Sequence, residues 1–242
     1  MRFLNVMLIL SVAFEFMNCK QKPTKTKTEQ KNNPDINLEI PGSVRLFDGN
    51  GLTNWDITNF GPQGEVYISG GKIVLGMGDG CTGITWKNDF PKVNYEVSLE
   101  AIRIAGNDFF CGLTFPVNDD FCSFIVGGWA GVVLGLSTID GLDGSENETT
   151  SMMTFNTNEW YKIRLKVTSE KIQAWINGSM AIDFAYEGRQ LDIRPEVRLS
   201  CPFGITTWKT TGAIRNIYLK EWCNQIKYLH PGLKLLNLKG VL

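Results

Sequence analysis

The sequence predicts an all-β fold in which antiparallel strands form a sandwich. Apolar and polar residues alternate in short runs such as 161–167, which is the pattern of a strand with one buried face. Tight-turn sequences separate these runs, among them Gly70-Gly71 and Asn177-Gly178, because such residues readily adopt positive φ angles. No stretch between residues 40 and 222 repeats its apolar residues with the period of a helix.

Length and composition agree with one large sandwich domain. The chain has 242 residues, of which 43% are hydrophobic and 20% charged, as in globular proteins that bury a substantial core. The connections between the predicted strands are short, which favours antiparallel pairing. The formal net charge is −1 and the predicted folded region has no long basic stripe, so we expect no nucleic-acid partner.

The N-terminus has the anatomy of an export signal. A positive charge at Arg2 precedes a short apolar run at 3–14, which is too short to span a bilayer, and Cys19 follows shortly afterwards. This arrangement resembles the lipobox of bacterial lipoproteins, although Asn18 is unusual before the cysteine. We therefore expect a lipoprotein-type signal peptide at 1–18 and a lipid on Cys19. The alternative is a plain signal or membrane anchor with an incidental cysteine.

The regions around the sandwich differ from it in composition. Residues 20–35 are polar and contain no hydrophobic side chain that could pack a core, as expected of a flexible tether. We expect 19–39 to be the lipidated cysteine and tether, 40–222 the sandwich, and 223–242 a tail, either a short helix or a loose segment. The resulting location is the bacterial cell envelope, anchored to a membrane and facing the periplasm or the cell surface.

Histidine and cysteine content limits the chemistry. The single histidine, His230, lies in the tail, so the sandwich cannot hold a Ser-His-Asp triad or a histidine-ligated metal. The spacing of the cysteines after Cys19 matches no zinc pattern. We expect buried thiols with at most one or two bridges; the alternative for Cys111 and Cys122, which lie on successive predicted strands, is a disulfide bridge.

An acidic loop is the one candidate for a metal site. Asp140, Asp143, Glu146 and Glu148 lie within nine residues and offer the oxygen ligands that Ca²⁺ or another divalent metal prefers. Their spacing does not match the regular calcium loop, and a solvated acidic loop is the alternative. Apart from such a metal, the sequence indicates no cofactor.

Three tryptophans and one polar run are candidates for substrate contacts. Trp129, Trp175 and Trp208 could stack on sugar rings, because an aromatic face suits the apolar face of a pyranose; core packing is the alternative. Residues 196–200 alternate like a strand, which would place Glu196, Arg198 and Ser200 on one face. That face is either a covered polar site or an exposed surface.

Several motifs resemble one known family. The segments Leu46-Phe47-Asp48-Gly49, 158–164, 172–178 and 214–220 are similar to the 3-keto-disaccharide hydrolase domain family, and the likeness spans roughly 44–221. The resemblance implies a concanavalin A-like jelly roll, in which two curved antiparallel sheets present a concave carbohydrate face. The segment 107–141 departs from the usual pattern, which indicates a distinct branch.

The resemblance also implies a function. It predicts an exported hydrolase or lyase that cleaves 3-keto glycosides, with a carbohydrate as its partner. Asp108 and Glu196 are our candidates for acid and base, and Arg198 for the cation that stabilises an enolate. Two alternatives stay open: a non-catalytic glycan-binding module, and a lipoprotein of the same fold that binds another protein.

Overall fold

A computed structural model describes residues 39–222 of the chain. The predicted signal peptide, Cys19, the tether before residue 39 and the tail 223–242 lie outside the described residues. Within the described range, no helix is long and apolar enough to cross a membrane.

Fifteen strands, numbered in chain order, form two antiparallel sheets. The first sheet contains β1 (Val44–Arg45), β3 (Val66–Ser69), β4 (Lys72–Leu75), β6 (Tyr95–Gly106), β11 (Trp160–Val167), β12 (Lys171–Ile176), β13 (Ser179–Ala185) and β15 (Thr210–Glu221). The second contains β2 (Trp55–Ile57), β5 (Cys81–Trp86), β7 (Cys111–Val117), β8 (Asp120–Gly128), β9 (Val133–Ser137), β10 (Ser151–Met152) and β14 (Gly204–Trp208). The predicted all-β sandwich is confirmed.

Strand order places the termini of the domain next to its centre. The first sheet runs β13-β12-β11-β6-β15-β4-β3, with β1 paired to the far part of β15. The second sheet runs β10-β9-β8-β7-β14-β5-β2. The Gly70-Gly71 and Asn177-Gly178 turns join β3 to β4 and β12 to β13, as the sequence predicts, and all four residues have positive φ.

The core lies between the two sheets. On β11 the side chains alternate between buried and partly exposed, so that Tyr161, Ile163 and Leu165 point inward. Burying these apolar side chains together with those of the facing sheet supplies the main driving force for folding. The core-facing side of the second sheet adds aromatic residues such as Phe115, Phe124 and Phe203, all of them fully buried.

The second sheet is covered on its outer face as well. Every residue of β7 and β9 is buried, which requires material on both sides of the sheet. A 3₁₀ helix (Pro195–Ser200) and the loop after β9 supply that cover. A Cβ on Gly135 would lie 2.1 Å from the backbone oxygen of Gly144, so this loop rests on bare backbone. The outer face of the second sheet is therefore enclosed between the sheet and these two segments.

The 3₁₀ helix corrects the prediction of a strand over 196–200. Pro195 lies in its first turn and has the φ that such a turn needs. Val197 is buried while Leu199 is 60% exposed, so the apolar alternation in the sequence did not mark two inward-facing residues. With three residues per turn, Glu196 and Arg198 point in different directions and share no face.

Cys111 and Cys122 do not form the bridge that was considered for them, and both are buried free thiols, as mainly expected. Cys111 pairs with Val126, and Cys122 pairs with Phe115, so the two cysteines are four residues apart along the β7–β8 hairpin. That offset corresponds to about 13 Å, beyond the reach of a disulfide. Cys81, Cys111, Cys122 and Cys201 are free thiols.

Removing the tail should leave the sandwich folded. β15 ends at Glu221 and pairs with β6 along nearly its whole length, so residues 36–222 contain every described strand. We expect this fragment to melt cooperatively, with a Tm close to that of the full chain in calorimetry. An aggregated or molten fragment would mean that the tail completes the core.

Candidate functional site

A cavity of about 210 Å³ lies on the outer face of the second sheet, beneath the 3₁₀ helix. It brings together four residues that the sequence predicts for a site: Asp108, Glu196, Trp129 and Trp208. The other residues that line it are Cys81, Phe109, Ser123, Ile125, Ser137, Arg194 and Val197. We call this cavity the central pocket.

Asp108 lies between β6 and β7 at the rim of the central pocket. Its Oδ1 accepts a hydrogen bond of 2.7 Å from the backbone N–H of Phe109, and its own N–H donates to Thr210 Oγ1 over 3.1 Å. Burial raises the pKa of the Asp108 carboxyl, and the N–H groups of Phe109 and Trp129 and the charge of Arg103 only partly offset this. A carboxyl whose pKa is raised in this way is a stronger base than a solvated aspartate, which suits it to proton transfer.

The pKa of Glu196 is displaced in the opposite direction from that of Asp108. Arg194 donates to both carboxylate oxygens of Glu196, over 3.0 Å to Oε1 and 3.3 Å to Oε2. These bonds lower the pKa of Glu196, which stays ionised. Arg194 also binds Asp143, which in turn accepts a hydrogen bond from Ser137. A chain of charged groups therefore forms one wall of the pocket.

Arg194 takes the place that the sequence assigned to Arg198. Arg198 does not line the central pocket and instead pairs with Asp192 on the surface, at 3.2 Å. Arg194 precedes Pro195 and reaches the pocket from the start of the 3₁₀ helix. The pocket thus contains a guanidinium, but from a residue that the sequence analysis did not single out.

The three tryptophans divide between the two sheets. Trp208, at the end of β14, and Trp129, in the turn between β8 and β9, both line the central pocket. Trp175 lies on β12 in the first sheet, where the guanidinium of Arg164 is 3.9 Å from its ring centroid. Trp175 therefore contributes nothing to this pocket.

A buried arginine fixes the turn that carries Trp129. Arg103 projects from β6 toward the second sheet and is only 6% exposed. It donates to the carbonyls of Gly127 (3.2 Å), Gly131 (2.9 Å) and Phe155 (3.3 Å), while its Nε has no partner among the described residues. A Cβ on Gly127 would lie 2.6 Å from the guanidinium, so glycine is required there. The sequence analysis missed Arg103.

The acidic loop is bound by arginines. Asp140 and Glu148 both pair with Arg189, and Asp143 pairs with Arg194. In the part of the chain that the structure describes, no three acidic, histidine or cysteine side chains converge as metal ligands. Asp143 and Glu146 border a second cavity of about 530 Å³, which shares Arg194 and Glu196 with the central pocket.

Cys81 has a thiol in the pocket but little nucleophilic character. Burial, reinforced by the nearby charge of Glu196, raises the pKa of Cys81 to about 12. This cysteine therefore stays protonated. Because only the thiolate is strongly nucleophilic, Cys81 acts as part of the apolar lining.

Replacing Asp108 should stabilise the protein at neutral pH. Its folded-state pKa lies above the unfolded value, so ionisation of Asp108 costs stability as pH rises through that range. Asp108→Asn keeps the acceptor oxygen and removes the charge. We expect a higher Tm than the parent at pH 7, measured by calorimetry. The difference should shrink as pH falls through the raised pKa of Asp108 and should be lost below the ordinary value of 3.8.

Asp119→Asn is the matched control for this measurement. The pKa of Asp119 is lowered by Lys92, so its replacement removes a favourable charge and should give no gain at pH 7. A neutral or negative effect of Asp108→Asn at pH 7 would show that burial does not dominate at this carboxyl.

Arg103→Met should destabilise the fold and release the Trp129 turn. Three carbonyls lose their donor, and each orphaned group costs about 1–3 kcal/mol, so we expect a loss of roughly 3 kcal/mol or more in urea unfolding. Near-UV circular dichroism should change as Trp129 moves. Arg198→Met, which breaks only an exposed ion pair, should cost less than about 1 kcal/mol; equal losses in the two variants would contradict this role.

Comparison with known proteins identifies the fold and the family. A β-glucanase of Bacillus licheniformis superposes with a TM-score of 0.53 at 11% identity, covering 76% of this chain and 100% of that one. A carbohydrate-binding module of Bacillus subtilis gives 0.50 at 12% identity, covering 70% and 96%. No curated protein sequence matches the chain. The 3-keto-alpha-glucoside-1,2-lyase-like domain matches residues 42–220, most of the chain. The chain therefore belongs to this family and is a carbohydrate-related hydrolase or binding module built on a concanavalin A-like jelly roll.

Proposed function

We propose that the protein cleaves the glycosidic bond of 3-keto glycosides in the central pocket. One observation carries the proposal: two carboxyl groups with oppositely displaced pKa values, Asp108 and Glu196, line the same aromatic-walled cavity as a guanidinium. Pairs of titratable groups whose environments push their pKa values apart are typical of acid–base sites.

The reaction needs a base, a proton donor and a stabiliser of negative charge. A ketone at C3 acidifies the hydrogen on C2, and a base removes that proton to give an enolate. The electron pair then forms a C1–C2 double bond while the C1–O bond breaks, and the departing alcohol takes up a proton. Water adds across the double bond afterwards. No redox partner is required, because every step moves only protons and electron pairs.

The geometry favours Asp108 as the group that moves the proton. Its raised pKa makes its carboxylate a stronger base than a solvated aspartate, and the protonated form can return the proton to the leaving oxygen. Both oxygens of Glu196 are occupied by Arg194, so Glu196 serves to hold that guanidinium. Arg194 then faces the developing enolate, the role proposed from sequence for Arg198.

Pocket size supports a small substrate. Pockets for drug-sized ligands range over about 300–1,000 Å³, so the 210 Å³ of the central pocket suits a single sugar ring. Trp129 and Trp208 would contact that ring. The second cavity, on the other side of Arg194 and Glu196, would take the leaving group.

A glycan-binding module is the second candidate, favoured by the same two tryptophans. Stacking platforms and a fixed ion-pair network suffice to hold a sugar without any proton transfer. For the location of either activity, we propose the lipid anchor on Cys19, which rests on the N-terminal sequence alone.

The decisive test is turnover of 3-keto-trehalose against plain trehalose by the purified protein, with and without chelator. We expect glucose release from the keto sugar only. The rate should rise with pH through the Asp108 pKa, above the ordinary value of 3.8, because the carboxylate is the active form. Asp108→Asn should lower the rate about 10²–10⁴-fold.

Two further variants sharpen the result. Arg194→Gln should lower turnover strongly, whereas Arg198→Gln, on the same helix but outside the pocket, should leave it unchanged. Sugar binding without turnover in the parent protein would move the conclusion to the binding module.

A further inference from the structure

The outer face of the first sheet carries a cluster of cationic and aromatic side chains, on the opposite side of the sandwich from the central pocket. We call this cluster the basic face. It consists of Arg45, Lys162, Arg164, Lys166, Arg215 and Lys220 together with Trp160, Trp175 and Tyr218. We propose that the basic face docks the domain onto an anionic phospholipid surface. This inference does not rest on the catalytic proposal.

Strand register places these side chains side by side. On β11, Lys162, Arg164 and Lys166 alternate with inward-facing Ile163 and Leu165. Across β6, Glu96 pairs with Lys166 on one side and Lys220 on the other. Glu100 pairs in the same way with Lys162 and Arg215. The cluster therefore covers neighbouring positions on at least three strands.

The two carboxylates do not balance the charge. Glu96 and Glu100 are only 6% and 8% exposed, and lie beneath the longer cationic side chains. Even without Lys162, the five cations Arg45, Arg164, Lys166, Arg215 and Lys220 against these two carboxylates leave a net of three positive charges on the face. Lys171 and Asp183, at the edge, pair with each other and add none. Since the whole chain has a net charge of −1, this positive charge is concentrated on one side.

The aromatic rings favour a membrane surface over a glycan chain. Arg164 lies 3.9 Å from the ring centroid of Trp175, and Arg215 lies 4.0 Å from that of Trp160. A guanidinium thus covers a face of each ring, where a sugar would have to stack. Tryptophan and tyrosine beside lysine and arginine are the residues that occupy the headgroup level of a bilayer.

The distribution of charge fits a flat partner. The cations are spread over the sheet from β1 to β11, at strand spacings of about 4.8 Å, instead of converging on one point. Such a lattice matches the many separate charges of an anionic membrane better than one small anion. Docking through this face leaves the central pocket open on the opposite side of the sandwich.

The test is co-sedimentation with vesicles. The full chain carries Cys19→Ala in every sample, so that no attached lipid contributes. We expect binding to phosphatidylglycerol-containing vesicles at low salt, loss of binding at high salt, and much weaker binding to pure phosphatidylcholine. Lys166→Gln with Lys220→Gln should weaken binding at least about tenfold, because each basic side chain near an anionic surface adds to affinity.

The matched control is Lys92→Gln with Lys209→Gln, which removes two charges from exposed ion pairs outside the basic face. It should leave vesicle binding unchanged, and both double variants should keep the parent Tm within a few degrees. Equal effects of the two pairs, or equal binding to neutral and anionic vesicles, would overturn the proposal. So would binding to polygalacturonate but not to vesicles, which would assign the face to an acidic polysaccharide.

Discussion

The candidate site depends on close packing against the outer face of the second sheet, which two glycines permit. At Gly135 the acidic loop comes so close that no side chain fits, and at Gly204 the end of the 3₁₀ helix does the same, with Ser200 Cβ 2.5 Å from where a Cβ would stand. These two contacts hold the acidic loop and the 3₁₀ helix closely against the outer face of the sheet, where the central pocket of about 210 Å³ lies.

Most of the charged groups near the pocket come from these two covering segments. The loop and the helix bring Asp143, Arg194 and Glu196 together, so the new wall is ionic and internally paired. Asp108 also lines the pocket and is partly buried, but it receives no hydrogen bond from a guanidinium, and its pKa moves the other way. Arg103 influences Asp108 through its charge alone, because its two terminal NH₂ groups donate to carbonyls that hold the turn. One packing arrangement thus sets both the shape and the electrostatic asymmetry of the site.

Much of the fold could be predicted from sequence, because strand period and turn chemistry are local. Gly70-Gly71, Asn177-Gly178 and the alternation over β11 each carry their own signal. The 3₁₀ helix is hidden in the sequence because Val197 and Leu199 alternate with polar residues, as in a strand. Pro195, in its first turn, is the local signal against a strand.

Four of the residues singled out from the sequence, Asp108, Glu196, Trp129 and Trp208, line the central pocket. Arg194 could not be found in this way, because its place depends on how the loop folds over the sheet. Arg103 had a usable signal: it follows Tyr95, Val97, Leu99 and Ala101 in the inward-facing positions of β6, where a charge needs a reason.

Strand order also governs when the domain can form. β15, the last strand, lies between β6 and β4. The first sheet therefore cannot join β3 and β4 to β6 before β15, which ends at residue 221, has been synthesised. Such pairing between distant segments makes folding slow and late. A ribosome must therefore complete nearly the whole chain before the sandwich becomes compact. Late closure of the sandwich is compatible with the proposed export of the chain, because an exported chain has to remain unfolded until it has crossed the membrane.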